Sequence, residues 1–202
     1  MSVTHLLYAV FPIGCKPNMA EQIKFFEAFD FTFLPSGFSY VLDENGLQDR
    51  ENENVIISVD QLQHLSNGIG TSLIQYWQGN DEVGFTLGYV EKGERIIGVF
   101  QFLSSEIELI HGYLKVRGAS LASFMCQYYS QMGVEVIYGG SDVGLLFSDL
   151  LTYIDSQLDI LPKEVGFFLT DEKSAYIPNP SNYIKTMTME GKKIYINWPF
   201  SE

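Results

Sequence analysis

The stretch that decides the fold is residues 83–103, which read VGFTLGYVEKGERIIGVFQFL. Every second residue from 83 to 89 is large and apolar, whereas the residues between them are glycine or threonine. A period of two residues places the large side chains on one face of an extended strand. The tripeptide KGE in the middle is typical of a hairpin turn. The pattern therefore predicts two antiparallel strands, 83–91 and 95–103.

The N-terminal segment predicts a buried strand that is followed at once by a helix. Residues 3–11 form a nearly continuous apolar run, and the prolines and glycine of residues 12–17 end it. Asn18 is a suitable N-cap, with Glu21 three residues later, for a helix that continues to about residue 29.

The rest of the chain predicts further strands and helices joined by glycine-rich turns. We expect strands at 71–77, 106–116, 134–138 and 165–169, a helix at 119–132, a helix from Ser141 or Asp142 to Pro162, and a closing hairpin of 183–189 and 192–198. This order predicts a mixed α/β (α+β) fold, in which helices flank a central and mostly antiparallel sheet. No composition shift divides the 202 residues, so we expect a single domain, 1–202.

The charge of the chain disfavours several kinds of partner. The formal net charge is −13 and the pI is about 4.5. Such a chain repels phosphate backbones and anionic lipid, so we expect neither a nucleic-acid nor a membrane partner. The two cysteines and three histidines lack the spacing of a metal site, and the acidic tract 43–54 lacks the spacing of a calcium loop. Free thiols and a start without a signal peptide predict a cytoplasmic protein without a metal cofactor.

Two short motifs are more simply explained by local structure than by chemistry. Residues 118–122, GASLA, resemble the nucleophile elbow of serine hydrolases, but all three histidines precede Ser120, whereas the catalytic histidine of that fold follows its serine. We interpret Ser120 as an N-cap. Residues 139–142, GGSD, could offer backbone N–H groups to an anion, but Asp142 supplies a carboxylate there, and we interpret them as a tight capped turn.

Four adjacent stretches resemble the GNAT superfamily of acyl-CoA N-acyltransferases. They are 93–100 (GERIIGVF), 107–116 (IELIHGYLKV), 117–122 (RGASLA) and 133–138 (GVEVIY). The resemblance covers residues 3–170, with the hairpin 183–198 added to that core. It implies an acyl-CoA loop between a fourth and a fifth strand, acetyl-CoA or a similar thioester as co-substrate, and an amine as acceptor.

The resemblance also implies which residues form the site. Backbone N–H groups at a helix N-terminus would hold the pyrophosphate of coenzyme A, where small residues allow its approach. Glu108, or its neighbour Glu106, would take the proton of the attacking amine, and Tyr153 lies one turn beyond the place of the family's general acid. The cofactor-binding residues would be Arg117, Gly118, Ala119, Ser120 and Ala122, with Ser120 in place of a glycine that the family usually has.

A different class of function fits the composition equally directly. An acidic surface without an assembled catalytic group is typical of a binding module, such as an intracellular inhibitor or immunity protein that masks a basic partner. A small-molecule sensor with an aromatic pocket is a third hypothesis. The sequence does not specify the acceptor substrate or the oligomeric state.

Overall fold

A computed structural model of the chain describes residues 4–34, 41–42, 48–49, 75–79, 84–92, 94–103, 108–110, 113–116, 119–141, 166–174 and 185–196. Fourteen strands and two helices lie in these ranges. In chain order they are β1 (Thr4–Val10), α1 (Met19–Ala28), β2 (Phe31–Phe33), β3 (Val41–Leu42), β4 (Gln48–Asp49), β5 (Gln75–Gly79), β6 (Gly84–Lys92), β7 (Arg95–Leu103), β8 (Glu108–Ile110), β9 (Tyr113–Val116), β10 (Ala119–Ser120), α2 (Leu121–Met132), β11 (Val136–Ser141), β12 (Phe167–Asp171), β13 (Lys185–Met189) and β14 (Lys192–Ile196).

Nine of these strands form one sheet in the order β13-β14-β12-β11-β1-β7-β6-β5-β2. Every described pairing in it is antiparallel. The N-terminal strand β1 lies at the centre, where Tyr8 faces Val99 of β7 on one side and Tyr138 of β11 on the other. The strands β3 and β4 pair separately, and β10, β9 and β8 form a small sheet of three strands.

Both helices pack on the same face of the nine-stranded sheet. Asn18 caps α1, because its Oδ1 accepts hydrogen bonds from the backbone N–H groups of Ala20 at 3.1 Å and Glu21 at 3.3 Å. The Phe26 ring of α1 stacks on the Tyr128 ring of α2, with centroids 5.9 Å apart. Strand residues of this face that belong to the same buried core include Leu7, Ala9, Phe85, Leu87, Phe100, Phe102, Ile137, Phe167, Leu169 and Ile194.

The opposite face of the sheet is buried as well. The alternate residues of the central strands are large and apolar, and each of them is at most 4% exposed: Tyr8, Val10, Ile97, Val99, Val136, Tyr138, Phe168 and Tyr195. An antiparallel sheet commonly keeps one polar face in contact with water. Here the chain instead has apolar residues at successive positions, as in the runs 7–11 and 96–100.

The prediction of a GNAT-like α+β fold is wrong. The described part of the chain is mostly β, and its two helices lie together on one face rather than flanking the sheet on both. Strand β11, the expected fifth strand, runs antiparallel between β1 and β12. It is not in the same sheet as the expected fourth strand, so the described strands do not form the pair that would open around acyl-CoA.

The expected fourth strand itself differs from the prediction. The sequence predicts one continuous strand over 106–116, but β8 and β9 are two strands that pair with each other. Ile110 faces Tyr113, so only two residues separate the strands. A connection of two residues is the usual length of a tight hairpin. The apolar pattern of 106–116 therefore belongs to a hairpin in the small sheet.

Gly139 and Gly140 also differ from the prediction, which made them a tight turn before a helix. They lie inside β11, where they face Leu7 and Leu6 of β1. A Cβ atom at position 139 would be 2.0 Å from the backbone oxygen of Leu6 and 2.7 Å from the Leu7 Cδ2 atom. Glycine is therefore required here because the two backbones approach closely, not because the chain turns.

No helix in the described part of the chain has the length and apolar character that crossing a bilayer requires.

We expect Gly139→Ala to lower the free energy of unfolding by about 3 kcal/mol, since the added methyl group meets backbone that cannot move without breaking the central pairing. Gly191→Ala is the matched control. Gly191 has φ +74° and nothing within 4 Å of an added Cβ, so only the left-handed backbone opposes alanine, at about 1 kcal/mol. Urea unfolding followed by circular dichroism measures both. Equal losses for the two variants would contradict the close approach at position 139.

Candidate functional site

The predicted acyl-CoA loop lies next to α2, and part of it is paired as a strand. Ala119 and Ser120 form β10, where they face Val116 and Lys115 of β9. Ala122 is buried in the first turn of α2. Arg117 and Gly118 lie outside the described residues. The structure therefore brings Ala119, Ser120 and Ala122 together at one helix start.

The structure describes little of the predicted catalytic residues, Glu108 and Tyr153, or of the alternative base Glu106. Glu108 is the first residue of β8 and faces Lys115 of β9, and its side chain lies outside what the structure describes. Glu106 and Tyr153 lie outside the described residues altogether. Ser120 also faces Lys115, so the backbone of Glu108 lies in register with that of Ser120 on the other side of β9.

A polar cluster that the sequence analysis missed lies in the core between the helices and the sheet. The Tyr89 hydroxyl on β6 donates a hydrogen bond to the side-chain oxygen of Gln22 on α1. It also lies 3.2 Å from the Tyr128 hydroxyl on α2. Burial raises the pKa of both tyrosines, so each stays neutral in the folded protein. These hydrogen bonds connect α1, β6 and α2, so we assign the cluster a role in stability rather than in chemistry.

A second polar cluster lies where β1 ends and β7 and β11 begin. Arg95 is only 8% exposed, and its Nη1 atom lies 2.5 Å from the Glu135 carboxylate and 3.4 Å from the Phe11 carbonyl oxygen. The Tyr129 hydroxyl donates to the Glu135 carbonyl oxygen at 2.7 Å. These contacts fix one end of the central strands. We call this region, formed by Phe11, Arg95 and Glu135, the β1 corner.

The loop from β1 to α1 is attached to the β1 corner. The backbone N–H of Phe11 donates to the Ile96 carbonyl oxygen at 3.0 Å, and that of Gly14 donates to the Glu94 carbonyl oxygen at 3.3 Å. Ile13, between these two bonds, is 59% exposed. The sequence pattern predicts this loop only as the end of a strand. An isoleucine between proline and glycine was the available signal.

The described carboxylates with a defined burial are exposed or half-buried. Only two of those with a defined burial are half-buried, Glu135 and Asp171, and each forms an ion pair, with Arg95 and with Lys192 respectively. The Lys192 ammonium lies 2.9 Å from Asp171, and hydrogen bonds from Lys173 and Lys192 lower the pKa of this carboxyl. The others are exposed: Glu21, Glu27, Asp30, Glu94, Glu172 and Glu190.

Metal ligands are not gathered in the described part of the chain. Within those ranges, no group of three or more histidine, cysteine, aspartate or glutamate side chains lies close enough to hold an ion.

The described residues define a mostly β structure, in which a nine-stranded antiparallel sheet carries two helices on one face. No family model matches the chain, and no curated protein matches it in sequence. Among solved structures it is similar to the Pseudomonas aeruginosa T6SS protein PA0821, at 9% identity and a TM-score of 0.38. That match covers 96% of this chain, which spans 65% of the other protein's length.

Buried thiol and phenol groups predict that the protein loses stability in alkali. Burial raises the pKa of the Cys126 thiol from 9.0 to about 12 and that of Tyr8 from 10.0 to about 12. The folded chain thus keeps protons that the unfolded chain releases, so this stability is complete below pH 9.0 and is lost as pH rises towards 12. Thermal unfolding along a pH series at constant ionic strength measures the loss.

Cys126→Ala is the control for that series. With the thiol removed, we expect the fall in Tm to begin nearer pH 10.0, where the unfolded tyrosines start to ionise. A Tm that stays constant from about pH 8 to about pH 11 would contradict the role of buried ionisable groups.

Proposed function

We propose that this chain is a non-catalytic acidic binding module that masks a basic protein, as an intracellular inhibitor or immunity protein does. The supporting observation is where the charge lies. The net charge is −13, and the described carboxylates with a defined burial are exposed or half-buried. A surface of one sign raises the association rate of an oppositely charged partner.

The distribution of charge along the sequence adds to this support. Between Lys24 and Lys92 the chain has eleven acidic residues and one basic residue, Arg50. Four of the twelve basic residues, in contrast, fall between positions 173 and 193. An uneven distribution of charge favours one orientation of approach by a basic partner.

Catalysis has less support. Among the described residues with a defined burial, the buried polar side chains are those of Gln22, Arg95 and Thr170, together with tyrosine hydroxyls and the Cys126 thiol, and none of them is a carboxylate. A general base with a raised pKa usually requires a carboxylate that is shielded from water.

We expect the immobilised chain to retain basic proteins from a native cell lysate in a salt-dependent manner. Retention should be strong at about 0.01 M ionic strength, where the Debye length is about 30 Å, and weak at about 1 M, where it is about 3 Å. Glu27→Lys should lower the association rate with a basic partner several-fold, because it replaces a negative charge with a positive one. Lys24→Glu is the matched control: it lies at an equally exposed position of the same helix, changes the charge in the opposite direction and should not lower the rate. Recovery of no basic protein at low ionic strength would contradict the proposal.

The N-acyltransferase hypothesis remains a prediction with its own test. Ala119, Ser120 and Ala122 do lie together at the start of a helix, which supports it. The sheet order differs from the one that the resemblance implied, which removes its main support. Titration with acetyl-CoA separates the two functions. A binding module should give neither heat nor a shift in Tm at millimolar acetyl-CoA, whereas an acyl-CoA-binding protein gains about 2.7 kcal/mol at a hundred times its Kd. Heat of binding with turnover of an amine would favour the transferase.

A further inference from the structure

Among the described strands, the nine-stranded sheet ends at two strands of unequal length. Strand β2 ends it on one side and has three residues, whereas β13 ends it on the other side and has five. Proteins usually protect an edge strand by making it short or by adding a bulge, a proline or charged residues. β13 pairs with β14 at successive positions without a bulge, and its central residues are threonine and methionine. The edge at β13 therefore has little of this protection.

The turn next to β13 determines which backbone groups of the strand point away from the sheet. Glu190 and Gly191 have φ of 52° and 74°, and they connect Met189 to Lys192. Positive φ at both central residues defines a two-residue hairpin turn of type I′. The two residues that flank such a turn exchange backbone hydrogen bonds, and hydrogen-bonded pairs then alternate along the strands.

This alternation gives β13 an outward set and an inward set of residues. Met189 and Met187 direct their N–H and C=O groups towards β14, and their half-buried side chains pack against the core. Thr186 and Thr188 direct their N–H and C=O groups away from β14, and both threonines are exposed. The edge thus offers two threonines whose backbone can pair with a further strand.

We infer that this strand is a second copy of β13, which pairs antiparallel with Met187 opposite Met187 of the other copy. All five residues of β13 then lie opposite a residue of β13. Thr186 faces Thr188 of the other copy, and each such pair exchanges both of its outward hydrogen bonds. Lys185 faces Met189, so that no lysine lies opposite a lysine. Cross-strand threonine pairs are favourable, whereas like charges that face each other are not.

Charge also favours a second copy over a basic partner at this edge. The hairpin 185–196 has three lysines and one glutamate, although the net charge of the chain is −13. A basic partner would meet charge of its own sign at this hairpin, so it is the poorer occupant. The inference is therefore independent of the proposed function, which depends on the acidic residues elsewhere in the chain.

We expect sedimentation velocity of the full chain to show a monomer–dimer equilibrium between about 1 μM and about 1 mM, the range of small interfaces. Thr188→Pro should raise the dissociation constant about tenfold or more, because proline has no outward N–H but leaves the bonds to β14 in place. Thr188→Val keeps that N–H and is the matched control. Thermal unfolding that matches the parent chain shows that the fold of both variants is intact.

Salt distinguishes this dimer from a complex with a basic protein. Higher ionic strength screens the repulsion between two chains that each have a net charge of −13, so it should strengthen the dimer. The same change should weaken retention of a basic partner.

A cysteine pair tests the register directly, in a chain with Cys15→Ser, since Cys15 is exposed and Cys126 is buried. Met187→Cys should form a linked dimer with oxidised glutathione, because facing residues that are not hydrogen-bonded have Cα atoms about 4.5 Å apart, within the range of a disulfide. Met189→Cys is the matched control. Its two copies would lie about 13 Å apart at a rise of about 3.4 Å per residue, which is too far.

Three results would overturn the inference. They are a chain that remains monomeric up to about 1 mM, a dimer that Thr188→Pro leaves unchanged, and cysteines at positions 187 and 189 that cross-link to the same extent. Each of them leaves the retention of basic proteins untouched, so the proposed function stands or fails by its own experiment.

Discussion

The structure depends on one layer of aromatic side chains between the helices and the sheet. Phe26 is at its centre, with ring centroids 4.7 Å from Trp77 on β5 and 5.0 Å from Phe85 on β6. The Phe26 and Tyr128 rings are nearly parallel, at 4°. Because one residue of α1 contacts both the sheet and α2, the two helices must share a face. The buried pair of Tyr89 and Gln22 then fixes their register, since a displaced helix would leave polar atoms without hydrogen bonds.

Local elements could be predicted from the sequence because local patterns determine them. Period two in 83–103 gave the hairpin of β6 and β7, and Asn18 gave the start of α1. The closing hairpin, β13 and β14, also lies within its predicted ranges. The pairing of distant strands could not be predicted, since periodicity identifies a face but not a neighbour. The position of β1 between β7 and β11 is the main example. The fold class was wrong because the described chain is mostly β and its two helices share one face of the sheet.

The candidate site was harder to predict for a related reason. Arg95 appeared in the sequence only as part of a hairpin motif, because its partner Glu135 is 40 residues away. Gln22 occurs on an otherwise apolar arc of α1, and such a polar residue signals a buried hydrogen bond but does not identify its partner. Function is still less local. The net charge restricts the partners that are compatible, whereas the hydrogen bond that holds the turn after β1 against Glu94 is visible only in the structure.

The central position of β1 has a consequence for synthesis on the ribosome. Strand β1 leaves the exit tunnel before its neighbours β7 and β11, which end at Leu103 and Ser141. Until those strands have been synthesised, the backbone and the apolar side chains of β1 lack their partners in the sheet. Long-range pairing of this kind slows folding and prolongs the exposure of aggregation-prone apolar segments. Residues 6–11 are therefore a segment that remains open to non-native contacts until its distant partner strands are available.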